Sequence, residues 1–244
     1  MSALKVAMLV ALSGWMMAAA GAVSLSGTRL VFDGRFPQAS IEVRNRGDHE
    51  VLLQVWLKEG GNDDDTVSGA LPFVVTPHLV RLPARGREQL RLLYQGQGMP
   101  TDRESLLHLY VLEIPRRVEG VQQLSIALRQ RINVFYRPQQ LPGDPALAPE
   151  SLLWERKGNR ALRLSNPTPF YAALQDVRLD GVLLGDYLLL APGAGHDWPL
   201  PATPAVAQLS FKALTDYGGQ RGYCARLAVS AAPTPSVQRD KEHC

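Results

Sequence analysis

The chain has 244 residues, with 26 Lys and Arg against 23 Asp and Glu. A formal charge of +3 is too small to point to nucleic acid as a partner. The basic side chains are almost all arginine, because only Lys5, Lys58, Lys157, Lys212 and Lys241 are lysine; arginine suits fixed, two-pronged contacts with carboxylates, and compositional bias explains the skew equally well.

Lys5 leads into an apolar run from Val6 to Ala20, followed by small residues around Ala22. This is the pattern of a cleaved secretory signal, expected over 1–21, and the run is short of the ~20 apolar residues that a membrane span needs. No later stretch is apolar enough for stable membrane insertion, so the expectation is an exported, soluble chain.

From there, short alternating or β-branched segments follow one another: "VSLSGTRLVF", "ASIEVRN", "VLLQVWLK", "LVRLP", "REQLRLLY" and "SLLHLYVLEIP", each bounded by Gly, Pro, Asn or Asp. The next, "QLSIALRQRINVFYRP" (123–138), is unusually long, with Leu124, Ile126 and Leu128 at every second position. No sustained helical period appears. Strands at this spacing without intervening helices predict an all-β antiparallel architecture.

Pro138, Pro142, Pro145 and Pro149 interrupt the pattern, since proline cannot continue a ladder. Strands then resume from "SLLWERKG" to "YCARLAVS". The expected organisation is a first β-domain over 22–140, a Pro-rich linker over 141–148, a second β-domain over 149–231 and a flexible tail over 232–244.

Motifs for chemistry are missing. His49, His78, His108, His196 and His243 have no metal-ligand spacing, "NDDDT" at 62–66 lacks the rest of a calcium loop, and "GQG" at 96–98 does not join a strand to a helix. No catalytic residue, metal or cofactor is expected, and the enzyme class has no support. Cys224 and Cys244 fit a disulfide of about 3 kcal/mol in an oxidising compartment, and equally a free thiol on a frayed tail.

Four stretches in order, "SLSGTRLVF", "DRESLLHLYVLEIP", the long strand ending "NVFYRP", and "NPTPFY" with "DYGG", resemble the periplasmic pilus chaperones of the chaperone-usher pathway. The short connection "RRVEGV" (116–121) is similar to the short-loop subclass. The resemblance implies two immunoglobulin-like sandwiches set in an L, and an ATP-independent periplasmic chaperone whose partners are pilus subunits and an outer-membrane usher. It implies donor-strand complementation, in which Leu124, Ile126 and Leu128 anchor in the subunit's groove. Alternation alone, without the resemblance, favours these three facing their own core.

The resemblance also implies that Arg29 grips the subunit's terminal carboxylate, and that Glu104, Arg137 and Asp216 form an ion network between the domains. The family's second cation is a lysine at the position of Asn133, which departs from the pattern. Arg131, on the same face two residues earlier, is expected to take the cationic role, with Asn133 as a neutral donor. Weak self-association of the free chain is left open. The alternative class is a secreted structural or adhesive β-sandwich, a pilus subunit or lectin-like protein.

Overall fold

The computed structural model describes residues 22–61, 71–116, 126–158, 160–200, 205–229 and 232–238. The first half of the chain supplies β1 (Val23–Leu25), β2 (Arg29–Asp33), β3 (Gln38–Asn45), β4 (Val51–Glu59), β5 (Phe73–Thr76), β6 (Leu79–Leu82), β7 (Arg87–Tyr94), β8 (Ser105–Pro115) and β9 (Leu128–Arg137). These form two facing sheets, ordered β1-β3-β7-β5 and β2-β9-β8-β4-β6. Strict alternation puts Leu53, Val55, Leu90, Leu92, Leu107, Leu109 and Val134 between them, with Phe32, Phe73 and Tyr136 in edge-on aromatic contact at one end.

A 3-10 helix, Pro145–Ser151, begins inside the stretch expected to be linker; Asp144 caps it by accepting from the Ala146 N–H at 2.8 Å. The second half supplies β10 (Leu153–Lys157), β11 (Ala161–Ser165), β12 (Ala172–Leu179), β13 (Val182–Leu190), β14 (Gly195–Pro199), β15 (Val206–Leu214), β16 (Gln220–Ala228), β17 (Thr234–Pro235) and β18 (Val237–Gln238). Their sheets run β14-β11-β10-β17 and β13-β12-β15-β16-β18 around Trp154, Leu164, Leu174, Leu209 and Phe211. The chain is therefore all-β and doubly sandwiched, as its spacing predicts.

Two local expectations give way. "VSLSGTRLVF" is not one strand: β1 pairs with β3, and after Ser26-Gly27-Thr28 the chain crosses to the other sheet, where β2 runs parallel to β9. The expected flexible tail is ordered over Thr234–Gln238, where β17 adds to β10 and β18 to β16. Ser236 is buried and donates its hydroxyl to the Pro149 carbonyl. Pro233 and Pro235 do not forbid edge pairing, where few amide donors are needed.

Among the described residues no helix is long and apolar enough to cross a membrane, and no cluster of His, Cys, Asp and Glu has the makings of a metal site. The expected signal over 1–21 lies outside the described residues.

Candidate functional site

Between the two sandwiches lies a cleft of about 290 Å³, walled by β2 and β9 on one side and by β12, β15 and the turn after β15 on the other. Arg29, the first residue of β2, stands directly opposite Asn133 in the parallel ladder. Its guanidinium lies over the Phe135 ring, 5.6 Å from the centroid. The Nε is buried and has no hydrogen-bond partner, and Arg29 makes no ion pair with a described residue. Burial pulls its pKa down, opposed by the nearby Tyr187, Asp216 and Glu104. A cation held half-buried with donors to spare has the chemistry to take an anion.

Arg137, at the far end of β9, is by contrast fully engaged. Its Nε donates to Glu104 Oε1 at 2.6 Å, while Nη1 and Nη2 donate to the two oxygens of Asp216 at 2.7 and 3.0 Å. Glu104 is only 3% exposed; its Oε2 accepts from the Tyr171 N–H at 2.7 Å, and its own N–H donates to the Pro169 carbonyl at 2.9 Å. Burial lifts the Glu104 pKa above the ordinary carboxylate range, against the pull of Arg137 and the Tyr171 amide. Burial alone would lower Arg137; its hydrogen bonds and the two carboxylates outweigh that and raise it. The three residues named from the sequence thus meet, and they join the first sandwich to the second. Phe135 against Tyr171 (centroids 5.5 Å apart) and Arg137 over Phe170 (5.6 Å) complete the junction. Sequence reasoning passed over Phe135 and Tyr171, although both lie inside the quoted motifs.

On β9 side chains alternate between two environments. Ile132, Val134 and Tyr136 enter the core, whereas Arg129, Arg131, Asn133 and Phe135 point to the outer face. Asn133 is flanked by Arg29 and His108. Arg131 lies opposite Tyr110, which stacks on Trp56 at 5.3 Å, and it is exposed one step along the sheet from Arg29. Arg131 and Asn133 therefore share the outer face of β9, Asn133 in register with Arg29 and Arg131 two residues before it in the groove along β9.

Ile126 and Leu128 share parity with the core positions, yet they are 58% and 40% exposed. The cause is the strand switch: β2 begins to pair with β9 only at Asn133, and β1 has gone to the opposite sheet. Over Leu128–Ile132 β9 is bonded to β8 on one side, and on the other carries no strand among the described residues. The Gln130 Nε2 reaches across the gap, donating to the Val23 carbonyl at 2.9 Å. A groove lined by Val23–Thr28, Gln130, Arg131, Ile132 and Tyr217 runs along this bare edge toward the cleft. Leu124 lies outside the described residues. Cys224 is buried and disulfide-bonded, and Cys244 lies outside the described residues.

The fold defines a two-domain protein of immunoglobulin-like sandwiches with a polar junction between them. Residues 22–142 match the family model of the pili and flagellar-assembly chaperone, PapD N-terminal domain, and residues 147–225 that of the pili assembly chaperone PapD, C-terminal domain; the chain belongs to this family of pilus-assembly chaperones. It is 32% identical to the chaperone protein FimB/FhaD of Bordetella pertussis, over 93% of this chain and 96% of that one. It is 31% identical to the probable fimbrial chaperone YadV of Escherichia coli, over 84% and 89%. Among solved structures, the YadV chaperone superposes with a TM-score of 0.70 at 32% identity, covering 85% of this chain and 100% of that one. The Salmonella enterica SafA pilin in complex with the SafB chaperone matches at 0.71 and 27% identity, covering 91% and 98%.

Proposed function

We propose that this chain is exported by its first 21 residues to the periplasm and there binds pilus subunits by donor-strand complementation, caps them and passes them to an outer-membrane usher. One observation carries the reading: the stretch Leu128–Ile132 of β9, bonded to β8 on one edge and with no strand on the other among the described residues, with Ile126 and Leu128 exposed, leads to Arg29, whose buried Nε has no partner. A subunit lacking its last strand needs backbone partners and apolar side chains together, and this edge offers both. Arg29 takes the subunit's terminal carboxylate with its two-pronged donor set, which fixes the register of the pairing. Arg131 supplies the second positive charge, with Asn133 as a neutral donor beside it.

No step consumes ATP. Release follows when the subunit exchanges this strand for a better-packed one. The bare edge also gives the free chain a means of weak self-association. The alternative of a pilus subunit or lectin-like protein is not favoured by the relatives, all of the cited ones being chaperones.

The test is co-expression of the exported chain with a pilus subunit, followed by size-exclusion chromatography. A one-to-one complex that forms with the parent and is lost with Arg29→Ala is the expected result. A complex that forms equally well without the Arg29 guanidinium overturns the carboxylate anchor. No complex at all overturns the chaperone reading.

A further inference from the structure

Tyr217 is 98% exposed, which by itself signals nothing. Its position and the stiffness of its support are what matter. The turn that carries it is closed by the Thr215 N–H donating to Gly219 O at 2.8 Å and the Gly218 N–H donating to Thr215 O at 3.0 Å. The preceding Asp216 is gripped by Arg137. Gly218 has φ +80°, and a Cβ there would meet Thr28 Oγ1 at 2.9 Å, so the turn sits hard against the loop that leads into Arg29. A large ring is thus held outward on a backbone that is fixed from both domains.

Two hollows meet at this ring. One is the cleft that holds Arg29; the other is the groove along the bare edge of β9; and Tyr217 is the one residue among those described that lines both. An extended polypeptide that pairs with Leu128–Ile132 and ends with its carboxylate on Arg29 has to pass this ring within its last few residues. Rigid aromatic side chains at the centre of a site are where contact energy concentrates, because few rotamers are lost on binding.

We infer that Tyr217 is a specificity-determining contact, packing on an apolar or aromatic side chain in the residues just before the partner's terminal carboxylate. This rests on the reading of Arg29 as the carboxylate anchor. The occupant it selects is an extended segment with a free C-terminus and a flat apolar group near its end. Lysine or arginine at that place is disfavoured, because Arg131 and Arg221 line the same two hollows.

The test uses the whole exported chain and a short fluorescein-labelled peptide of alternating Val and Thr with a free C-terminus, into which Phe or Ala is placed at each of the last positions in turn. Fluorescence anisotropy gives the affinities. At one position Phe is expected to bind about tenfold more tightly than Ala. That gain disappears with Tyr217→Ala and survives with Tyr217→Phe. A gain of the same size in Tyr217→Ala, or no position at which Phe is preferred, overturns the inference while leaving the anchor standing. An amidated peptide that binds as well as the free acid, together with an indifferent Arg29→Ala, overturns the anchor itself, and with it the inference.

Discussion

At the scale of single residues, Arg29 is held at a cost. Its guanidinium is partly desolvated over Phe135, its Nε has no partner, and burial lowers its pKa. An arrangement that costs stability and makes no ion pair with a described residue is expected to survive trimming. Arg29→Ala should therefore melt within about 3 °C of the parent, while its complex with a pilus subunit weakens by at least about tenfold, the loss of a charge-assisted hydrogen bond. A variant that instead unfolds would make Arg29 a structural residue. Arg131, exposed and lining the groove along β9, should matter less: Arg131→Ala is expected to weaken the complex by a smaller factor and to make its affinity less sensitive to salt. Equal salt dependence in parent and variant, measured by anisotropy, would return the second-cation role to no residue of β9. Cys224 is disulfide-bonded and Cys244 is the chain's only other cysteine, so the intact mass of the exported chain, labelled with a thiol reagent before and after reduction, should show no thiols and then two.

At the scale of elements, the free edge of β9 is a product of the crossover between β1 and β2 and of the length of the strand beyond its partner. Ile126→Asp and Leu128→Asp test it directly. Both side chains are exposed in the free chain, so neither substitution should cost folding stability. Each anchor buried in a partner contributes about 1.5–3 kcal/mol, so each Asp should weaken the subunit complex by about tenfold to a hundredfold. Unchanged affinity in a titration with either variant would mean that the core-parity side of β9 is not what the subunit reads.

The strands themselves were legible because their periodicity and their Gly, Pro and Asn boundaries are local signals. Arg29, Glu104, Arg137 and Asp216 were legible only through motifs, since nothing in the spacing of residues 29, 104, 137 and 216 says that they converge. The exposure of Ile126 and Leu128 was legible only through the family resemblance, not from the periodicity. Alternation puts them on the side of Ile132 and Val134, and only the three-dimensional switch of the first strand uncovers that side. β17 and β18 were not legible, because Pro233 and Pro235 masked edge pairing that the register with β10 and β16 makes plain.

At the scale of the whole molecule, Arg137 ties Glu104 of the first sandwich to Asp216 of the second in the wall of the cleft. Removing it strands Glu104, whose carboxylate is almost wholly buried. Arg137→Ala is therefore expected to cost about 3 kcal/mol at neutral pH, the range for breaking a buried pair by deleting one partner. The cost should depend on pH in a defined direction. Burial already raises the Glu104 pKa above its ordinary 4.5, so over the window above that value the folded chain holds a proton that the unfolded chain has lost. Stability from this group is complete below the ordinary value and is lost as pH rises through the folded one. Without Arg137 the folded pKa climbs further, so the penalty of the variant should shrink as pH is lowered from 7 toward 5. Urea melts across that range measure it.

Adding Glu104→Gln to Arg137→Ala separates stability from geometry, because it removes the stranded charge and leaves the domains untied. The double variant should regain most of the lost stability at neutral pH and lose the pH slope. It should still bind subunits poorly, since Arg29 and the bare edge of β9 lie on one sandwich while Tyr217 and the far wall of the cleft lie on the other. Small-angle scattering should then show a broadened distribution of interdomain distances. A double variant that is stable, binds tightly and scatters like the parent would mean that the Phe135 and Tyr171 packing alone holds the two sandwiches in place, and that the ion network does not shape the cleft.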